Sequence, residues 1–273
     1  LVFDGFVFIS GLVFFCYILG LNKFLAKQGH NGCEMTYMYE YPQFVRVTLA
    51  SNVTAEYRRY GLYAYSEGRQ TQQTRNMQFS GIPVLFIPGQ GGSLKQVRSL
   101  ASVSLRKAFN SDYKFHFDFF TLDLNEEYSA MFGGVLTDQT RFAVHAVLRI
   151  LSLYRRVRPD SMVLIGHSMG GMIAKGLFLE PDFPSHAVRL VVTLATPHSP
   201  VILTDTLLQE YYNRVTPYWP PPSGNVTVIS LGGGIKDLVV RPGLTLSDQA
   251  DISILTTAVP DVWMSVDHLC ILW

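Results

Sequence analysis

The stretch SMVLIGHSMGGMIAKGLFLE (161–180) runs from an apolar segment into a glycine-flanked serine and out into a second apolar segment. Within it, residues 166–170 fit the pattern G-x-S-x-G, in which a tight turn from strand to helix exposes the serine hydroxyl and leaves no room for neighbouring side chains. The bare pattern is weak, because glycine is a common residue. Its position between an apolar strand and an apolar helix is the context of a nucleophile elbow. We therefore predict that Ser168 is a nucleophile and not a serine in an ordinary turn.

Apolar runs alternate with helical patterns on both sides of this turn. Predicted strands fall at residues 57–68, 81–89, 115–124, 162–166, 187–196 and 225–233, and predicted helices at residues 93–109, 138–154 and 170–179. Strands that alternate with helices require crossover connections, which produce a mostly parallel sheet with helices on both faces. The predicted fold class is α/β, of the α/β-hydrolase type.

A serine is a poor nucleophile near neutral pH without a base, and in this fold the acid and then the histidine follow the serine along the chain. Six histidines are poorly placed to act as that base, namely His30, His116, His145, His167, His186 and His198. His30, His116 and His145 come too early in the chain. His167 lies inside the elbow and points away from the serine oxygen, and His186 and His198 suit structural or surface roles. His268, beyond all the predicted strands, is the predicted general base. The alternative is an ordinary hydrogen-bonded histidine at the end of a loop.

The acid that orients this histidine belongs just past the strand at residues 225–231. Asp237 stands there, in the segment GGGIKDLVV (232–240). Other candidate carboxylates are Asp248, Asp251, Asp261 and Asp267. The last of them adjoins His268, and adjacent side chains diverge. Asp237 is therefore the predicted acid.

An acyl-transfer site also needs two backbone N–H groups aimed at the developing oxyanion. Met169, the residue after the serine, is the first predicted donor. Gln90 is the second, because Gly89 and Gly91 allow its backbone to come close. The same glycine-rich loop, PGQGGS (88–93), lacks the lysine-serine ending of a P-loop and the spacing G-x-G-x-x-G, so a phosphate cradle is disfavoured.

The composition indicates contact with lipid and not with nucleic acid. Of the 273 residues, 48% are hydrophobic and 16% charged, and the net charge of +1 carries no basic excess. Residues 1–22 are predicted to form a transmembrane anchor, because no charged residue interrupts residues 6–21. A cleaved signal peptide is the alternative for this segment.

Two sequons, at Asn52 and Asn225, are predicted glycan acceptors and favour a lumenal location. Outside the anchor, Cys33 and Cys270 either form a disulfide or remain buried thiols; two cysteines do not decide between these. Neither cysteine has the spacing of a metal ligand.

The predicted domain organisation is an anchor at 1–22, a linker at 23–55 and a catalytic domain at 56–273 with a cap-like insertion at 198–224. The insertion contains one predicted helix and a proline cluster rich in tyrosine and tryptophan, which favour surfaces that are apolar on one side and wet on the other. We consider two interpretations, a cap over the active site that leans on the bilayer and an ordinary long loop.

Beyond these general features, several motifs closely resemble the GPI inositol-deacylase family. They are CEMTYMYEYP (33–42), GIPVLFIPGQGGSLKQVRSLAS (81–102), VLIGHSMGGMIAK (163–175), TLATPHSPV (193–201), GGGIKDLVVRPGLT (232–245) and VDHLCILW (266–273). The resemblance places the family's catalytic serine, acid and histidine on Ser168, Asp237 and His268. It departs at Gln90, where asparagine is usual in that family, and in the many membrane spans with which such proteins continue.

The resemblance implies an enzyme of the endoplasmic reticulum membrane with a lumenal catalytic domain and no metal or cofactor. It would act on GPI-anchored proteins and remove the fatty acyl chain from the inositol of their anchors. A lipase or phospholipid acyl hydrolase of the same fold is the competing enzyme. A membrane-tethered binding domain without catalysis is the competing class, and it would keep its function without Ser168.

Overall fold

The computed structural model describes residues 2–27, 38–111, 115–154, 159, 161–200, 205–219 and 225–273. The chain divides into two compact units, Leu1–Cys33 and Glu34–Trp273. The first contains helix α1 (Val2–Lys27), in which Phe8 and Phe14 are among many exposed apolar side chains. Among the described residues, neither α1 nor any other helix is long and apolar enough to cross a membrane.

The second unit contains the remaining strands and helices. In chain order they are β1 (Gln43–Val47), α2 (Ser51–Glu56), β2 (Gly61–Ser66), α3 (Gln70–Arg75), β3 (Ile82–Ile87), α4 (Arg98–Asn110), β4 (Phe117–Asp123), α5 (Gly133–Leu153), β5 (Met162–His167), α6 (Met169–Gly176), β6 (Val188–Leu194), α7 (Thr206–Val215), β7 (Thr227–Gly232), α8 (Pro242–Thr245) and β8 (Ile252–Leu255). Every predicted strand and helix therefore has a counterpart in the structure.

The strands form one eight-stranded sheet in the order β1-β2-β4-β3-β5-β6-β7-β8. The pairs β1–β2 and β2–β4 are antiparallel, and the other pairs are parallel. Parallel neighbours place the carboxyl ends of β3, β5, β6 and β7 at the same edge of the sheet, where the loops carry function. The predicted α/β-hydrolase fold, with a mostly parallel sheet, is confirmed.

Alternation along the central strands divides the core between the two faces of the sheet. In β3, Leu85 and Ile87 belong to a large cluster with α5, α6 and α7, whereas Val84 and Phe86 belong to a smaller cluster that includes residues of α4. A strand buried on both faces reads as a continuous apolar run, which is why β3 and β5 are evident in the sequence.

Two edge strands were not predicted. β1 lies within residues 23–55, the segment predicted as a linker, and pairs with β2 through five residues. β8 has four residues, none of them fully buried. Short, half-exposed edge strands carry little apolar periodicity, so the sequence pattern does not mark them.

The aromatic residues of the insertion pack into the core and do not form an outward-facing group. The exposed fractions of Tyr211, Tyr212 and Trp219 are 2%, 2% and 3%, whereas Tyr218 is 63% exposed. Tyr211 hydrogen-bonds the hydroxyl of Thr140 at 2.8 Å. The expectation that these four side chains lean on a bilayer is wrong for the three buried ones, because α5 and α6 cover the apolar face of α7 and Trp219 packs against Phe178.

Candidate active site

The nucleophile elbow forms between β5 and α6. Ser168 has φ 53° and ψ −125°, which is a strained conformation for a residue with a side chain. It directly follows the buried strand β5. A Cβ on Gly166 would lie 2.5 Å from the Cα of Gly171, and a Cβ on Gly170 would lie 2.1 Å from the carbonyl oxygen of Ile87. The two glycines of the pattern are therefore required by close backbone packing.

The structure brings two of the predicted catalytic side chains into direct contact. Nδ1–H of His268 donates a hydrogen bond to Oδ2 of Asp237 at 2.9 Å. The other carboxylate oxygen accepts the backbone N–H groups of Val239 at 3.0 Å and Val240 at 2.8 Å. The side chains of His268 and Asp237 are 13% and 0% exposed. Three donors thus hold a fully buried carboxylate against one nitrogen of the imidazole and leave the other nitrogen available as a base.

Other carboxylates considered from the sequence have different partners or positions. Oδ2 of Asp251 accepts the backbone N–H of Val228 at 2.7 Å. Oδ1 of Asp267 accepts the N–H groups of Leu269 and Cys270 at 2.9 and 2.8 Å, which shapes the loop after His268. The side chains of Asp248 and Asp261 are exposed.

The candidate oxyanion donors flank Ser168. A Cβ on Gly89 would lie 2.6 Å from the Cβ of Ser168, so the loop that carries Gln90 passes directly beside the serine. Within the described residues, the backbone N–H groups of Gln90 and Met169 have no hydrogen-bond acceptor. The Gln90 side chain turns elsewhere, and its Oε1 accepts the backbone N–H of Ala130 at 3.0 Å. Unpaired amides beside a nucleophile are suited to binding an oxyanion.

A further histidine contacts the loop that carries His268. His167, 2% exposed, donates Nε2–H to the backbone carbonyl oxygen of His268 at 2.8 Å, and the two rings lie 4.8 Å apart between centroids. Burial, followed by the proximity of His268, lowers the pKa of His167 to about 4. No hydrogen bond joins the Ser168 hydroxyl to His268 within the described residues; such bonds are often loose in substrate-free sites. Sequence position identified His167 as unsuited to be the base but gave no sign of its partner.

A second group of buried polar side chains lies on the same face of the sheet as α6 and α7. Lys175 is 1% exposed, and its ammonium lies 5.4 Å from the centroid of the Trp219 ring. Burial lowers the pKa of Lys175 to about 8. Burial and the charge of Lys175 lower the pKa of His198 to about 3, and its Nε2 hydrogen-bonds the hydroxyl of Ser230 at 2.8 Å. His198 therefore has a structural role, as its position predicted.

Other candidate features are placed as follows. Asn52 and Asn225, the sequon asparagines, are both exposed. Cys270 is disulfide-bonded, and Cys33 lies outside the described residues. In the part of the chain that the structure describes, no group of three or more His, Cys, Asp or Glu side chains is arranged to hold a metal ion.

Comparison with known proteins gives consistent matches. Residues 78–273 match the family described as PGAP1-like alpha/beta domain. The GPI inositol-deacylase of Xenopus laevis is 42% identical over 266 residues, which cover 93% of this chain and 29% of that protein. The GPI inositol-deacylase of Drosophila melanogaster is 38% identical, over 94% of this chain and 30% of that protein. The GPI inositol-deacylase of Kluyveromyces lactis is 33% identical, over 98% of this chain and 31% of that protein. The chain thus spans just under a third of the length of these relatives.

Among solved structures, the crystal structure of TT1662 from Thermus thermophilus superposes with a TM-score of 0.54. The match covers 85% of this chain and 93% of the other, at 16% sequence identity. At that identity the likeness supports the fold alone.

Proposed function

The chain belongs to the PGAP1-like alpha/beta domain family, and on this premise we propose that it is a serine ester hydrolase that removes the fatty acyl chain from the inositol of GPI anchors. Relatives named GPI inositol-deacylase, 33 to 42% identical over most of the chain, support the substrate. GPI-anchored proteins would then be its partners. The observation that carries the chemistry is the hydrogen bond of 2.9 Å between His268 and the buried carboxylate of Asp237, beside a strained serine.

In this proposal each side chain has one role. Nε2 of His268 takes the hydroxyl proton as Ser168 attacks the acyl carbonyl, and the Asp237 carboxylate stabilises the imidazolium that results. The backbone N–H groups of Gln90 and Met169 bind the oxyanion. The imidazolium returns its proton to the departing inositol oxygen, and water then hydrolyses the acyl-enzyme by the same steps. Residues of the chain supply every group in this cycle, with no cofactor.

The test combines active-site labelling with turnover. We expect wild type to react with a fluorophosphonate probe and to release fatty acid from acylated inositol, and Ser168→Ala to lose labelling and about 10³-fold or more of turnover. Ser66→Ala, at a buried serine in β2, is the matched control and should keep both. Release of fatty acid from glycerolipids but not from acylated inositol would replace this function with that of a lipase. Full function in Ser168→Ala would leave a non-catalytic binding domain.

We also propose that the protein acts at the endoplasmic reticulum membrane, with α1 as its anchor and the second unit in the lumen. The exposed apolar side chains along the described part of α1 support attachment of this helix to lipid. The exposed side chains of Asn52 and Asn225 are available to glycan transfer. Loss of a glycosidase-sensitive gel shift in Asn52→Gln with Asn225→Gln would support the lumenal location. No shift in wild type, or release of the protein by alkaline carbonate, would count against it.

A further inference from the structure

We propose that His167 is a positioning residue that holds the backbone of the catalytic histidine through its hydrogen bond to the carbonyl oxygen of His268. The proposal rests on the acyl-transfer chemistry proposed above, in which His268 is the base. It assigns a role to the residue between the first glycine and the serine of the G-x-S-x-G turn.

The bond connects two parts of the site that come from different elements. His167 is the last residue of β5 and fixes the serine that follows it, whereas His268 lies in an irregular segment beyond β8. The segment is also held by Val266, whose N–H donates to the carbonyl oxygen of Gly233 at 2.7 Å, and by the bond from His268 to Asp237. Both of those contacts lead to the loop after β7. Among the hydrogen bonds of the described residues, the one from His167 joins the elbow directly to the loop of the base.

The geometry fixes the protonation state of His167. A carbonyl oxygen only accepts, so Nε2 must carry a proton, and Nδ1 has no partner among the described residues. A buried Nδ1–H without an acceptor would be costly, which favours the neutral ring with Nδ1 bare. The lowered pKa of His167, about 4, agrees with a neutral donor near neutral pH. The ring thus supplies a hydrogen bond without placing a second positive charge beside the imidazolium of His268.

A tie of this kind matters because base and nucleophile approach each other along a short path. A misplacement of about 1 Å in a catalytic group can cost about 10²-fold in rate. Within the described residues, the side chain of His268 makes one hydrogen bond, to Asp237, which fixes the ring relative to β7 but not relative to Ser168. The bond from His167 fixes the main chain of His268 relative to the serine itself.

A matched pair of variants separates the hydrogen bond from packing. Gln places an N–H donor at about the reach of Nε2, whereas Met has similar length and no donor. We expect His167→Met to lower kcat by about 10²-fold with little change in KM, and His167→Gln to remain within about threefold of wild type. Equal losses in both variants, or no loss in His167→Met, would overturn the proposal.

Two further measurements distinguish positioning from general destabilisation. The rate constant for phosphonylation of Ser168 by a fluorophosphonate refers only to folded, reactive molecules, so partial unfolding of His167→Met leaves it interpretable. In a His268→Ala background, His167→Met should lower this rate constant no further, because His167 acts through His268. An additional loss in the double variant would contradict the proposal.

These assays also separate the proposal from the function on which it rests. They are performed on the full protein with a fluorophosphonate and a p-nitrophenyl ester as well as with acylated inositol. If the protein reacts with the first two and not with the third, the proposed substrate fails while the role of His167 is still tested. If wild type reacts with none of them, both fail.

Discussion

Two buried ionisable groups, Asp237 and Lys175, sit in opposite circumstances. The carboxylate of Asp237 accepts three hydrogen bonds of 2.8 to 3.0 Å and is fully buried. The ammonium of Lys175 is also buried, but within the described residues it has no hydrogen-bond acceptor, and burial lowers its pKa to about 8. Hydrogen-bond donors offset the desolvation of a buried charge, whereas a buried charge without hydrogen-bond partners is driven toward its neutral form. The first group should therefore govern catalysis and the second stability.

The largest expected effect comes from removing the charge at Asp237. Asp237→Asn keeps the size of the side chain, but its amide can donate to Nδ1 of His268 and favour the wrong tautomer. We expect kcat to fall by about 10⁴-fold with stability little changed. The matched control is Asp261→Asn, at an exposed position with φ 67°, a conformation that asparagine tolerates, and it should keep full activity. If Asp237→Asn retained a tenth of the activity, Asp237 would not be the acid.

Acid should weaken the fold through the two buried histidines. His167 and His198 have pKa values of about 4 and about 3, below the 6.5 of the unfolded chain. The unfolded state therefore binds more protons below pH 6.5, and stability falls as the pH falls toward these values. Each histidine should remove roughly 2 kcal/mol of unfolding free energy between pH 6.5 and 5.

Urea denaturation at pH 7 and at pH 5 checks this expectation. His198→Gln should make the loss between the two pH values smaller by about half, whatever its effect at pH 7. His186→Gln, at an exposed histidine, should leave the loss unchanged. An equal pH dependence in wild type and His198→Gln would mean that His198 is protonated, or paired with an anion, in solution.

Removing the buried charge of Lys175 should stabilise the protein. The displacement of its pKa from 10.5 to about 8 corresponds to a cost of roughly 3 kcal/mol at pH 7. Lys175→Met should recover part of it and raise Tm by several degrees, less whatever the contact with Trp219 contributes.

The stabilisation by Lys175→Met should also depend on pH. The unfolded state of wild type binds more protons between pH 8 and 10.5, so wild type gains stability over that range and the difference in Tm between variant and wild type should shrink. The control Lys107→Met, at an exposed lysine of α4, should change Tm little. A lower Tm in Lys175→Met would show that the ammonium has a hydrogen-bond acceptor in solution, or that its contact with Trp219 outweighs the cost of burial.

The contrast between the two groups also marks what the sequence could predict. The elbow follows from a local pattern, because Ser168 directly follows a strand whose apolar run is evident, and chain order after it selects the candidate acid and base. Burial of Lys175 was not predicted, since a lysine seven residues after the serine gives no sign of the aromatic insertion that covers it. The hydrogen bond of His167 was missed for a similar reason. Its acceptor is a backbone carbonyl about a hundred residues away in an irregular segment, and no periodicity reports such a contact.

The smallest expected effect concerns Gln90, where main chain and side chain have separate roles. Its side chain holds the backbone of Ala130, and its N–H is the proposed oxyanion donor. Gln90→Met removes the acceptor and keeps the length, so the loop should loosen and kcat should fall by no more than about 10-fold. Loss of an oxyanion donor itself lowers kcat by about 10²- to 10³-fold.

Gln249→Met is the matched control, because the side chain of Gln249 hydrogen-bonds the backbone of Thr216, and its kcat should not change. A fall of 10²-fold or more in Gln90→Met would mean that the side chain, which now turns toward Ala130, swings back to bind the oxyanion. The backbone would then not be the second donor, and the position would require an amide side chain.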